Sequence, residues 1–328
     1  MFLQGIKEES MKAKNKLLTL LILSAGAAGT TAGINKAIQF SAVSKNFLAE
    51  PEPLCFKWRL GNVYYTKEGT GKPLLLIHDL DTCTSGYEWK QLIPFLSSKY
   101  TVYTIDLLGF GRSEKANMTY TNFLYVQLIS DFIKSEIGHR TSIITSGEAA
   151  SIPLMACANN PDLFDQIMAI NPLSLLDFSS IPGKTAKMYK CMIELPIIGT
   201  FIYNMAVSRN QIIDAFVNNY YYKGHLVPQK LIHTYYQSAH IGDGGGKYLL
   251  ASIKSYYTNI NIVSAIKKIN NSICLIGGKE HPYIEDVIND YKEFNPAIED
   301  AYIPNTTCLP QLEAPDKFVK LVNIFLHA

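Results

Sequence analysis

Short apolar runs alternate along this chain with stretches of helical spacing. Pro73–Ile77 (PLLLI), Tyr100–Ile105 (YTVYTI), Thr141–Thr145 (TSIIT) and Gln166–Ile170 (QIMAI) read as strands of a buried parallel sheet. Between them, Glu88–Leu96, Tyr120–Ile137 and Ser151–Asn159 carry helical spacing. Gly138 suits the C-cap of the second, and Asn160-Pro161 stops the third. Ahead of these, Lys57–Thr66 alternates around Gly61-Asn62 and reads as a hairpin turning at that pair. Strand character returns at Ser272–Ile276 and Asp300–Ile303, and a closing helix is expected over Pro315–Leu326.

Such alternation predicts an α/β chain with a doubly wound, mostly parallel sheet. The pattern lapses after Asn171-Pro172, and the next stretch of roughly 90 residues is helix-like and rich in tyrosine, far longer than an ordinary connection. The expected organisation is therefore a core from 46–172 and 263–328, interrupted by a helical cap at 173–262. Residues 1–45 form an N-terminal tail, in which Lys7, Lys12, Lys14 and Lys16 precede an uncharged stretch, Leu17–Ile34. Its 18 residues approach the length of a membrane-spanning helix. Lysines on its N-terminal side favour a cytoplasmic N-terminus and an extracytoplasmic folded domain. A single-pass anchor is the first expectation, a cleaved signal peptide the second and a soluble helix the third.

Composition narrows the function. The chain is 48% hydrophobic with a net charge of +2, and no basic run suits it to nucleic acid. Six scattered cysteines form no CxxC pair and no zinc-ligand spacing, so neither a metal nor another cofactor is expected. Gly242–Gly246 (GDGGG) lacks the lysine and hydroxyl of a phosphate loop.

The loops carry the chemistry. Ile77-His78-Asp79-Leu80-Asp81 follows a strand, Tyr87-Glu88-Trp89 opens the next helix, and Asp106-Leu107-Leu108-Gly109-Phe110-Gly111-Arg112-Ser113 follows another strand. Gly277-Gly278-Lys279-Glu280-His281-Pro282 and Leu309-Pro310-Gln311-Leu312-Glu313-Ala314-Pro315 come last. In this order and spacing they resemble the α/β-hydrolase fold with a helical cap, and more narrowly the anchored hydrolase-like proteins of anaerobic Gram-positive bacteria. The resemblance covers about residues 56 to 328.

It implies a serine on a Gly-x-Ser-x-Gly elbow, followed by an acid and a histidine. The elbow region here is Thr145-Ser146-Gly147-Glu148-Ala149-Ala150-Ser151-Ile152-Pro153. Two registers fit, with Ala149 or Gly147 at the nucleophile position. Pro153 favours Ala149, since it then falls in the first helical turn. The acid position falls on His281, or on Glu280 if counted one residue earlier, and the histidine position falls on Cys308. The same resemblance assigns His78, Asp79, Glu148 and Ala150 to the oxyanion and pocket region. Ser146 and Ser151 are alternative nucleophiles, as is a Cys308/His281 pair, although capping or packing accounts for such serines more simply. The resulting expectation is a catalytically inactive pseudohydrolase holding a small apolar or ester-like ligand, or a partner, beneath its cap. The alternative is an active esterase-like hydrolase with a non-standard residue set.

Overall fold

The computed structural model describes residues 26–50 and 53–326. Its centre is an eight-stranded sheet in the order β1-β2-β4-β3-β5-β6-β7-β8. β1 (Leu54–Trp58) and β2 (Gly61–Glu68) form a hairpin, and β2 also pairs antiparallel with β4 (Tyr100–Ile105). All remaining pairings are parallel, through β3 (Lys72–Ile77), β5 (Thr141–Ser146), β6 (Phe164–Ile170), β7 (Ser272–Gly278) and β8 (Glu299–Ile303). The hairpin turns at Arg59-Leu60, because Trp58 pairs with Gly61, so Gly61-Asn62 belongs to β2 rather than to the turn expected there.

Leu74 to Ile77 are completely buried, as the unbroken apolar pattern requires of a strand covered on both faces. One face packs Leu75, Ile77 and Ile143 under Phe132, and the other packs Leu74, Leu76 and Ile144 against Trp89 and Phe318. The expected helix over 88–96 is instead a single 3-10 turn, Gly86–Trp89, and a short α-helix, α2 (Ile93–Leu96). Buried Trp89 docks that segment before a helix can propagate. Next come α3 (Asn122–Phe132), whose last turn widens before the left-handed cap at Gly138, and α4 (Ser151–Asn159).

Strand order reverses between β3 and β5: β4 lies on one side of β3, and β5 on the other. A doubly wound sheet opens a crevice at the carboxyl ends of such strands. Over this end lies the chain from β6 to β7, entirely helical in its regular structure. It comprises α5 (Leu175–Phe178), α6 (Lys184–Glu194), α7 (Ile198–Ala206), α8 (Arg209–Ala215), α9 (Gln229–His240), α10 (Gly246–Lys254) and α11 (Val263–Ile266). It has its own apolar cluster, including Tyr203, Phe216, Tyr235 and Leu250, which reaches down to Cys83, Leu309 and Leu312 of the sheet-end loops. Helices α12 (Ile284–Phe294), α13 (Pro310–Glu313) and α14 (Pro315–Phe325) complete the sheet's cover.

Residues 26–43 form an N-terminal helix, α1. Its first turns are mainly exposed, whereas Asn35 is buried. The Asn35 amide donates to the Ile197 carbonyl (3.0 Å) and accepts from the Asn204 amide (2.9 Å), tying α1 to the N-cap and last turn of α7. The Phe47 N–H donates to the Gln237 side chain (2.6 Å), and Leu48 is buried. Most of the apolar stretch expected to anchor the chain lies outside the described residues. Among those described, no single helix is long and apolar enough to cross a membrane.

Candidate functional site

The carboxyl end of β5 turns sharply into α4. Ser146 keeps extended backbone, Gly147 adopts φ +57°, and Gly147–Ala150 form a 3-10 turn that leads into the helix. The left-handed residue of this turn is Gly147, not Ala149. A strand-to-helix elbow concentrates its strain in one positive-φ residue, and glycine adopts that conformation at least cost. Ala149 lies two residues on, fully buried within the 3-10 turn, and Ala150 beside it is equally buried. Pro153 does not mark Ala149 as the tip, because the intervening 3-10 turn delays the α-helix to Ser151. Pro153 therefore stays in the first turn of α4 with Gly147 at the tip.

A Cβ on Gly147 would stand 2.3 Å from the carboxyl carbon and both oxygens of Asp79. The space a side chain would take at the tip thus holds the Asp79 carboxyl group. The N–H of Glu148, the residue after the tip, donates to Asp79 Oδ1 (2.8 Å), and the N–H of Leu80 donates to the same oxygen (2.7 Å). Two convergent backbone amides above a parallel sheet are the makings of an anion-stabilising hole. Here a side chain of the protein itself fills it.

Asp79 is half-buried at the cavity floor, and burial raises its pKa despite those amides, with Asp81 adding repulsion. Glu148 is raised as well, by burial and then by Asp79. Glu88, fully buried, is pushed up to about 8, again by burial first and Asp79 second. It accepts from the Asp79 N–H (3.2 Å) and from the Gln311 amide (2.6 Å), and that amide also reaches the Ser146 hydroxyl (3.2 Å). Neither alternative serine is free to attack. Ser146 is buried in this network, and buried Ser151 donates to the Glu148 carbonyl while accepting from Asn122.

His78 is sealed beneath the site. Its Nε2 accepts from the Leu107 N–H (3.0 Å), so Nδ1 carries the proton toward the Asp79 carbonyl (2.7 Å). Burial lowers its pKa to about 4, which keeps the ring neutral. It therefore staples the β3 loop to the β4 loop.

Above Asp79 lies a cavity of about 240 Å³. Asp81, Glu148, Asn171, Tyr220, Lys254, His281 and Cys308 contribute to its wall. Asn171 fixes one rim: its amide donates to the carbonyls of Thr307 and Cys308 (both 2.8 Å) and accepts from the Gly278 N–H (2.9 Å). Tyr220 closes another, donating to Asp81 (3.1 Å) from the helical segment. His281 and Cys308 share this cavity but their hydrogen bonds lead elsewhere. The Cys308 thiol donates to the Asn219 carbonyl (3.4 Å), and His281 Nδ1 lies 3.0 Å from the Pro282 carbonyl. Burial pushes the thiol up to about 12, so the thiolate a nucleophile needs is suppressed. Glu280 is exposed and outside the cavity wall. The site therefore gathers Asp79, Glu148, His281 and Cys308 around Gly147, supports them from below with His78, and leaves Glu280 outside; Ala149 contributes its backbone to the Asp79 surroundings but lines no part of the cavity, nor does Ala150.

Glu88, Gln311 and Asn171 are not among the site residues expected from the sequence. Glu88 and Gln311 lay inside the quoted motifs. Their signal was a polar residue flanked by residues bound for the core. Among the described residues no group of three or more His, Cys, Asp or Glu side chains is arranged to hold a metal ion.

No protein-family model matches the chain. It is 27% identical over 114 residues to a 2-hydroxy-6-oxo-6-(2'-aminophenyl)hexa-2,4-dienoic acid hydrolase of Metapseudomonas resinovorans, covering 34% of this chain and 39% of that protein. It is also 27% identical over 110 residues to a soluble epoxide hydrolase of Corynebacterium sp. (strain C12), covering 33% and 37%. The match thus spans under two-fifths of these relatives' length. Solved structures agree over far more. The epoxide hydrolase CorEH superposes with a TM-score of 0.70 at 18% identity, covering 84% of this chain and 98% of that one. A membrane phospholipase A superposes with a TM-score of 0.67 at 16% identity, covering 96% and 98%. Strand order, elbow and these likenesses together place the chain in the α/β-hydrolase fold superfamily.

Proposed function

We propose that the protein is a non-hydrolysing member of this superfamily, tethered to a membrane, that holds a small ligand in the cavity beneath its helical cap. One observation carries the reading: at the elbow tip the Asp79 carboxyl occupies the place of a nucleophilic side chain and takes the Glu148 and Leu80 amides. Hydrolysis by the ordinary route needs a nucleophile, an imidazole base and an empty oxyanion hole. Gly147 supplies no nucleophile, Cys308 no imidazole, and Asp79 fills the hole. No observation favours an active hydrolase built on Ser146, Ser151 or Cys308, since the serines are buried and the thiol is held neutral. The tether is supported by the lysines before Leu17–Ile34 and by the exposed first turns of α1.

The test is treatment of the full chain with a fluorophosphonate, a thiol-reactive probe and a chromogenic ester. The expected result is no stoichiometric active-site labelling and no turnover above buffer. Labelling of one residue, together with ester cleavage abolished by its alanine variant, would overturn the proposal. For the tether, alkaline carbonate should leave the protein in the membrane pellet, and its release would count against an anchor.

A further inference from the structure

The cavity above Gly147 also carries information about what it binds. Three carboxyl groups reach its wall, those of Asp79, Asp81 and Glu148. Two of them have partners. Asp79 takes the Leu80 and Glu148 amides, and Asp81 takes the Cys83 amide on one oxygen and the Tyr220 hydroxyl on the other. Among the described residues the Glu148 carboxylate accepts no hydrogen bond and enters no ion pair, although its residue is partly buried and its charge is opposed by burial. A buried polar group without a partner costs free energy, and a charged one costs more. Lys254 is the one cation lining the cavity among the described residues; it is exposed and stands beyond salt-bridge reach of Glu148. Leu173, Leu250 and Ile253 form an apolar wall. The carboxylates do not converge as a metal site would, so an inorganic cation is not what they await.

From this geometry we propose that the cavity binds an organic cation, a protonated primary amine on a short apolar chain, with Glu148 as its counter-ion. The inference rests on the reading that the cavity is a binding site, and it replaces an ester-like occupant with a cationic one. An ammonium donates to three acceptors at once, and the cavity wall offers the Glu148 carboxylate together with the oxygens of Asn171 and Tyr220. A volume of about 240 Å³ has room for roughly eight water-sized groups, the scale of a six-carbon amine.

The pH dependence follows from the groups facing Glu148. Asp79, Asp81 and Asp177 repel its charge, Lys254 alone relieves it, and burial adds to the repulsion, so the carboxyl retains its proton more readily than usual. His281 is held below its ordinary range and stays neutral near pH 7. Cys308 and Tyr220 are both pushed up and stay neutral too. An ammonium would therefore bind the ionised carboxylate and drive one proton from Glu148 into solvent.

The experiment is calorimetry on the full chain with hexylamine, hexan-1-ol and hexanoate as matched probes at pH 6.5, 7.5 and 8.5. Hexylamine alone should bind, about tenfold more tightly at pH 8.5 than at 6.5, with proton release seen as a heat that depends on the buffer. Glu148→Gln should weaken it at least tenfold and flatten the pH profile. Lys254→Met, which removes the competing cation and leaves the fold intact, should tighten it. Equal binding of hexan-1-ol or hexanoate, or an amine affinity insensitive to both pH and Glu148→Gln, would overturn the proposal. Turnover plays no part in this readout. Ester cleavage with amine binding would sink the non-hydrolysing reading alone, and no cleavage with no amine preference would sink this one alone.

Discussion

Two buried acidic sites stand at the same end of the sheet and are treated in opposite ways. In the loop after β4, Asp106 is gripped by Arg112 through two guanidinium contacts of 2.7 and 2.8 Å, and takes two further N–H groups from Gly86 and Arg112. Its pKa is lowered, because the guanidinium beside it outweighs the cost of burial. Around the loop after β3, Asp79 meets Glu88 of the following 3-10 turn and Glu148 of the elbow after β5; among the described residues no cation stands within salt-bridge reach of them, and all three are raised. His78 joins the two loops as a neutral ring. A buried carboxyl thus becomes a fixed charge or a proton store depending on whether a cation reaches it. The first arrangement fastens a loop. The second leaves a site whose charge a ligand can set.

Removing the cation should convert the first site into the second. Arg112→Leu strands Asp106, which is completely buried, and loss of one partner from such a pair costs about 3–5 kcal/mol. Urea unfolding at pH 8 should show that loss. At pH 5 the loss should be smaller, because the stranded carboxyl can then take a proton. An equal loss at both pH values would show that Arg112 acts through packing alone. The next largest effect is expected at the elbow. Gly147→Ser places a side chain at φ +57° into the Asp79 carboxyl and should cost about 2–4 kcal/mol. In an Asp79→Gly background the same change should cost at least about 1 kcal/mol less, because the clash is gone. Additive losses would mean that Asp79 does not occupy that space.

The sheet was legible because buried parallel strands need unbroken apolar runs, and Tyr100–Ile105 appears in the structure with the expected bounds. The β6–β7 helices were legible for a similar reason, since helical spacing persisted where strand spacing stopped. The elbow was misread at its most informative point. Sequence weighed Pro153 against an ordinary α-helix start and had no access to the 3-10 turn that shifts it. The sequence assigns Asp79 to the oxyanion region only by its place after β3. That its carboxyl would reach across to Gly147 depends on a side-chain direction, which spacing does not encode. Glu88 and Gln311 were invisible as a pair because 223 positions separate them.

The second site can be separated from the first by pH alone. Glu88 holds its proton up to about pH 8 in the folded chain, whereas an unfolded glutamate loses it near 4.3. Between those values the folded state binds more protons, so its stability falls as pH rises. Glu88→Gln removes that dependence. The variant should gain on the wild type by about 2 kcal/mol between pH 6.5 and 8.5, read from urea midpoints. The comparison between proteins is needed because Lys115, lowered to about 7 by burial, works in the opposite direction above that pH. A constant difference across the range would mean that Glu88 is ionised in the folded state.

The smallest effect distinguishes what holds Arg112 in place. Its guanidinium lies 3.8 Å from the centre of the Tyr64 ring, and its side chain is 13% exposed. A cation over a ring in such partial shelter contributes about 0.5–1 kcal/mol beyond the apolar area it covers. Tyr64→Leu alone would mix that contribution with lost packing, so the informative quantity is the coupling with Arg112→Leu in a double-mutant cycle. If Asp106 supplies nearly all of the arginine's stabilisation, the coupling should stay below about 1 kcal/mol, well under the cost of Arg112→Leu itself. A coupling as large as that cost would make the ring, rather than the carboxylate, the principal partner. The contrast between the two loops would then rest on aromatic packing instead of charge.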